Sequence, residues 1–132
     1  MKKLIFLIGF ILFASLSVSA EVLKFRGTHY AMQLYEHGKW QEWSDWAECN
    51  VIIGMDLDTD VITILAKRDQ IYHIYDYVGT ETNNGTTIVT FLFYDQDDDK
   101  GTLSLQMRDN GQSEIYIEFS DIHWAYIVRR IN

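Results

Sequence analysis

Proline is absent from the 132 residues of this chain, and cysteine occurs once, as Cys49. The absence of proline excludes a polyproline linker and a collagen-like repeat. A single cysteine excludes an internal disulfide, so packing alone must hold the core together. No histidine lies beside Cys49 in the sequence to activate its thiol, and free cysteine commonly serves as a small buried hydrophobe.

Basic residues are also scarce, since 11 lysines and arginines stand against 19 aspartates and glutamates, for a formal net charge of -8. A surface this acidic repels phosphate backbones, and the sequence contains no basic stripe, so we expect no nucleic-acid partner. The same field favours cations or a basic protein partner, and it also favours solubility outside the cell.

The first twenty residues have the pattern of a secretory signal. Lys2 and Lys3 supply a positive start, the apolar run Leu4–Ala14 follows, and the small-residue tail Ser15–Ala20 precedes Glu21. The apolar run is too short for a membrane-spanning helix, which needs about 20 residues. We therefore predict a signal peptide over residues 1–20, no stable membrane anchor, and a secreted or periplasmic mature chain.

The rest of the chain, residues 21–132, is predicted to be a single all-β domain. A hydrophobic content of 48% excludes intrinsic disorder. From residue 50 onward apolar and polar side chains alternate, and turn residues such as Asp109-Asn110-Gly111 interrupt the alternation at short intervals. Eight strands are predicted, over residues 25–35, 50–56, 61–66, 71–77, 86–94, 103–108, 113–119 and 123–129.

The short connections predict that these strands form an antiparallel up-and-down meander, closed into a small barrel or folded into a two-sheet sandwich. In the strand at residues 86–94, Leu92 lies on one face and Phe91 and Phe93 on the other, so both faces are expected to be covered. The predicted cover is Trp40–Glu48, whose tryptophans recur every third residue and favour a short helical or irregular segment.

The same segment carries the densest functional signal, because Trp40, Trp43 and Trp46 are interleaved with acidic residues. Indoles beside carboxylates can stack on sugar rings or form a hot spot for a protein partner. Three large indoles can also serve as a packed structural plug. The two interpretations are compatible if one indole stays exposed, and we predict that these three residues bind an extracellular or periplasmic protein or glycan.

A second signal lies in the acidic stretch before Gly101. Asp95, Asp97 and Asp99 repeat the spacing by which calcium loops present oxygen ligands. Lys100 stands where an EF-hand loop would have its glycine, and a strand follows instead of a helix. A solvated hairpin tip is therefore the competing interpretation, and calcium is the one cofactor that the sequence suggests.

The sequence gives no support for an enzyme. Its four histidines show no zinc-ligand spacing, and no nucleophile and base are placed to converge. We predict a non-catalytic binding module. The alternatives are a secreted inhibitor, which would insert a preorganised loop into the cleft of an extracellular enzyme, and a calcium-dependent structural domain.

Three stretches carry a resemblance to known proteins: Trp40–Trp46, with its Trp-x-x-Trp-x-x-Trp pattern, Asp95–Leu105 and Gly111–Tyr126. In these stretches the chain resembles small secreted β-rich proteins of gut bacteria and their phages. The resemblance implies secretion and a β-rich fold, and it implies no activity for any residue.

Overall fold

The computed structural model describes residues 22–132, and the predicted signal peptide at residues 1–20 lies outside the described residues. The described chain is all-β, as predicted. Its strands are β1 (Val22–Glu36), β2 (Lys39–Trp40), β3 (Ala47–Asp56), β4 (Val61–Leu65), β5 (Gln70–Asn83), β6 (Thr86–Tyr94), β7 (Lys100–Arg108), β8 (Ser113–Glu118) and β9 (Ile122–Arg130).

The strands form an antiparallel up-and-down barrel. From β3 to β9 each strand pairs with the next, β1 pairs with β3, and β1 also pairs with β9 from Phe25 opposite Arg130 to Leu34 opposite Ile122. Eight strands therefore close into a ring, while the two-residue β2 pairs only with the end of β1. Closure gives each strand of the ring two hydrogen-bonded neighbours, which confirms the barrel alternative of the predicted fold.

The barrel interior is filled by side chains. Eight strands enclose a space just wide enough for this, and alternate residues of every strand point inward. In β6 the inward residues Val89, Phe91 and Phe93 are completely buried, while Leu92 on the outer face is half-buried. The largest fully buried side chains are Leu23, Ile53, Met55, Ile62, Ile64, Phe91, Phe93, Leu103, Leu105, Ile115 and Ile117.

Two buried tyrosines of the barrel interior should make the free energy of unfolding decrease at alkaline pH. Burial raises the pKa of Tyr72, and burial followed by the nearby Cys49 raises the pKa of Tyr126 to about 12. The folded state therefore holds both phenols neutral, so their contribution to stability is fully present below the unfolded value of about 10 and is lost as pH rises from 10 through 12.

We expect urea midpoints that decrease above about pH 10, while absorbance at 295 nm follows the delayed ionisation of Tyr72 and Tyr126. Tyr126→Phe should reduce the alkaline loss. Ionisation of Tyr72 and Tyr126 near the ordinary tyrosine pKa, without loss of stability, would contradict the described burial.

The tryptophan segment, defined as residues 40–46, differs in placement from the prediction. Trp40 lies in β2 and residues 41–46 are irregular, so the irregular alternative is the one observed. The segment lies on the outer faces of β8 and β9, where Trp40 stacks on His123 and Trp43 approaches Tyr116. The outer face of β6 around Leu92 instead lines a groove.

Candidate binding surface

The β1–β2 hairpin sets the position of the tryptophan segment. β1 extends past its pairing with β3, and a tight turn at His37 and Gly38 reverses the chain. Both turn residues have positive φ, 56° and 79°, as a two-residue hairpin loop of type I′ requires. Trp40 is thereby placed opposite Tyr35, and their rings meet edge to face at 5.2 Å.

Hydrogen bonds to β1 hold the irregular part of the segment in place. The Gln41 backbone N–H donates to the Leu34 carbonyl at 2.8 Å. The Ser44 N–H donates to the Met32 carbonyl at 2.8 Å, and the Met32 N–H donates to Ser44 Oγ at 2.9 Å. Ser44 thus replaces the missing strand partner of Met32, so the segment is anchored although it is not helical.

Trp40 packs on a histidine whose orientation is fixed. The two rings stack with centroids 3.7 Å apart and an interplanar angle of 20°. Gln33 Nε2 donates to the Gln41 carbonyl at 2.9 Å, so Gln33 Oε1 is left to accept from His123 Nδ1, also at 2.9 Å. Nε2 of the same ring lies 3.9 Å from a carboxylate oxygen of Glu118. This chain of contacts makes Trp40 a structural residue.

A small depression in the outer wall lies beneath the segment. Ala31 of β1 and Ala125 of β9 are register partners on the outer face, yet they are only 2% and 1% exposed. Neighbouring Trp43 approaches Tyr116 edge to face at 6.1 Å and lies 6.3 Å from His123. The short alanine side chains therefore leave room for the bulky cover above β8 and β9.

Two indoles remain accessible despite this packing. Trp43 is 40% exposed and Trp46 is 45% exposed, whereas Trp40 is half-buried. Burial of apolar area stabilises the fold, so the exposed parts of these two indoles do not contribute to stability. The segment therefore combines a plug, centred on Trp40, with a displayed surface at Trp43 and Trp46.

A half-buried ion pair lies on the same outer face, next to Tyr116. The Glu114 side chain is 11% exposed, and its Oε1 lies 3.1 Å from Arg108 Nη1, although that N–H is not aligned for a hydrogen bond. The Tyr116 hydroxyl donates to the same oxygen at 3.1 Å. Burial, followed by repulsion from Glu114, raises the pKa of Tyr116. Tyr116 stays neutral, and it links the ion pair to the edge of Trp43.

Arg108→Met is expected to lower the free energy of unfolding by about 2 kcal/mol, because it leaves a mostly buried carboxylate without its cation. Urea unfolding measures the loss. The double variant Arg108→Met/Glu114→Gln should recover part of it, since the stranded charge is then removed. If the effects of Arg108→Met and Glu114→Gln, each measured alone, are additive in the double variant, these side chains do not interact.

An open groove of about 380 Å³ adjoins the tryptophan segment on the outer wall. It crosses five consecutive strands, and His123 belongs both to its lining and to the stack with Trp40. The groove and the tryptophan segment therefore form one continuous surface. The groove is lined by Tyr75 of β5, Leu92 of β6, Lys100, Gly101 and Thr102 of β7, Glu118 of β8, Phe119 and Ser120 just after β8, and His123 of β9.

A β-bulge displays the tyrosine at the far end of this groove. Ile74 pairs with Phe93 and Asp76 pairs with Leu92, so Tyr75 is the extra residue on β5. Bulges re-aim side chains and recur beside functional sites. Tyr75 is 37% exposed, stacks with Tyr94 at 6.2 Å, and has the Lys100 ammonium 5.4 Å from its ring centroid. Its ring is therefore held on the outer face of the barrel by contacts with Tyr94 and Lys100.

The acidic hairpin between β6 and β7 is organised by its own backbone. Asp95 Oδ1 accepts hydrogen bonds from the N–H groups of Asp97 at 2.8 Å and Asp99 at 2.9 Å. Asp98 takes a positive φ of 64° at the tip. Among residues 22–132, no group of three or more acidic, histidine or cysteine side chains is arranged to hold a metal ion. Calcium binding by Asp95, Asp97 and Asp99 stays a prediction.

Sequence patterns alone indicated only part of this surface. The three tryptophans were found from their spacing, but Tyr75, Glu118 and His123 were not, since they come from three different strands and no local sequence pattern marks them. Only closure of the barrel brings these positions beside the tryptophan segment. The outward position of Leu92 was a weak signal, but the sequence assigned the tryptophan segment as its cover, whereas the structure has an open groove there.

No family model, curated protein or solved structure matches the chain. Within residues 22–132 there is also no helix of sufficient length and apolar character to cross a membrane. The geometry of the outer wall is thus the basis on which a function is inferred.

Proposed function

We propose that the chain is a secreted, non-catalytic binding module that recognises an extracellular or periplasmic protein or glycan through its tryptophan segment. The observation that carries this proposal is the exposure of Trp43 and Trp46, at 40% and 45%, on a segment whose backbone is anchored to β1. A fixed aromatic surface loses little conformational entropy when a ligand binds.

The three tryptophans differ in their contacts and exposure, and this difference supports the same proposal. Trp40 already fills the role of a plug by stacking on His123. Trp43 and Trp46 expose apolar area that a purely structural cover would bury. Indoles are enriched among the residues that dominate binding energy, since they combine large area with few rotatable bonds.

The test uses the mature chain against a glycan array and against immobilised extracellular proteins, followed by titration calorimetry on each positive. Trp43→Ala/Trp46→Ala should weaken binding about 100-fold, as expected for the loss of two hot-spot side chains. Leu65→Ala is the matched control, because Leu65 is 48% exposed on β4, away from the segment, and its loss should leave affinity unchanged.

Unchanged affinity in the folded double variant would remove the tryptophan segment from consideration. The inhibitor alternative predicts a different result. A pull-down from secreted material would then recover an enzyme whose activity is lost in the complex, and the affinity would depend on an inserted loop.

A further inference from the structure

The groove beside the tryptophan segment is lined in part by polar side chains that take no part in packing the core. Leu92 and Phe119 supply apolar side chains to it, and its polar side chains between the terminal rings are the Thr102 and Ser120 hydroxyls, the Glu118 carboxylate and the Lys100 ammonium. Among the described residues, the two hydroxyls have no side-chain hydrogen-bond partner in the groove. These groups are free to bond to a ligand.

Aromatic rings stand at both ends of this polar stretch. At one end lies Tyr75, the extra residue of the β5 bulge, whose ring stacks with that of Tyr94. At the other end His123 carries the Trp40 stack, with Trp43 beside it. Flat apolar faces separated by hydroxyl and carboxylate groups match the two surfaces of a sugar, whose C–H face stacks on rings and whose hydroxyls form hydrogen bonds.

We propose that the groove is a glycan subsite that continues the tryptophan segment, so that one chain of uncharged sugars lies from Trp43 across to Tyr75. This rests on the proposed function, and it selects glycan over protein as the ligand. Glu118 and the two hydroxyls bond to sugar hydroxyls, and Tyr75 stacks on a terminal ring.

The chemistry of the groove disfavours the other ligand classes. A protein hot spot is a well-packed apolar pocket from which water is excluded, whereas Leu92 and Phe119 line an open groove together with hydroxyl, carboxylate and ammonium groups. Anionic polysaccharides would meet Glu118 and a chain of net charge -8. Uncharged sugars carry neither cost.

The span of the groove predicts a dependence on chain length. Four strand spacings separate β5 from β9, and at about 4.8 Å each they total about 19 Å before curvature. A single sugar cannot reach both ends. Affinity should therefore increase as an oligosaccharide is lengthened, until the chain reaches Tyr75.

The probes are uncharged oligosaccharides based on glucose, mannose, xylose and N-acetylglucosamine, each as a monomer, short oligomers and long oligomers, titrated by calorimetry. Tyr75→Ala and Glu118→Gln should each weaken the long oligomers about tenfold and leave the shortest binding oligomer unchanged. Val78→Ala is the matched control, since Val78 is 60% exposed on the same strand and does not line the groove. Near-ultraviolet circular dichroism verifies that each variant is folded.

The outcomes separate this inference from the proposed function. If Trp43→Ala weakens every oligomer while Tyr75→Ala and Glu118→Gln weaken none, the groove is not a subsite although the binding module stands. Stronger binding of oligouronates than of uncharged chains would overturn the subsite as proposed. If no oligosaccharide binds and a purified protein partner does, the glycan assignment is overturned and the binding module again stands.

Discussion

Phe93→Ala is expected to lower the free energy of unfolding by about 4 kcal/mol, the range typical of deleting a buried phenylalanine ring. Phe93 is completely buried in β6. Its ring lies 4.4 Å from that of Tyr72 and meets Phe119 edge to face at 5.5 Å, so deletion removes one ring from a three-ring cluster. Because close-packed interiors relax only partially, a cavity remains.

Urea unfolding measures the effect as a reduced midpoint at an unchanged slope. Leu65→Ala provides the control, since Leu65 is 48% exposed and its loss should change stability by less than about 0.5 kcal/mol. A similarly small loss for Phe93→Ala would mean that the aromatic cluster is not packed as described.

Gly101→Ala should cost about 3 kcal/mol, although it adds only one methyl group. A Cβ at this position would lie 2.6 Å from Phe93 Cζ and 2.8 Å from the Glu118 carbonyl oxygen. Both are closer than nonbonded contact permits. The phenylalanine ring is confined by its cluster, and the carbonyl belongs to the paired strand β8, so neither neighbour can move away freely.

Two comparisons test the cause of this effect. Gly54→Ala in β3 places its Cβ 3.7 Å from the nearest neighbouring side-chain atom, Val22 Cγ1, which is an ordinary contact, so it should be neutral or slightly stabilising. Combining Gly101→Ala with Phe93→Leu should give a coupling free energy of about 1–2 kcal/mol, because the shorter side chain relieves one of the two clashes. A purely additive pair would exclude Phe93 as the source of the clash.

The barrel could be predicted from the sequence because its strands carry a strong period-two signal. The strands predicted at residues 86–94, 103–108 and 113–119 agree with β6, β7 and β8 to within a few residues. β5 was predicted to end at Tyr77 but continues to Asn83. Its two bulges shift the register between Ile74 and Asp76 and between Tyr77 and Gly79, which breaks the alternation on which the prediction depends.

The candidate site was less predictable, because its parts come from distant positions. The spacing of Trp40, Trp43 and Trp46 identified a cover but not the surface beneath it. That surface depends on the pairing of Ala31 with Ala125, residues with no distinctive local pattern. Local periodicity cannot reveal which side chains meet around a closed barrel.

The pairing of β1 with β9 also determines how the molecule must fold. These strands stand at opposite ends of the described chain, and the Asn132 side chain extends the seam by accepting from the Lys24 N–H and donating to the Val22 carbonyl. Such contacts of high sequence separation are slow to form, because a long loop must be closed before any of them contributes. The ring can therefore be completed only after the last strand has been synthesised, and until then the first strand has one unpaired side open to other chains.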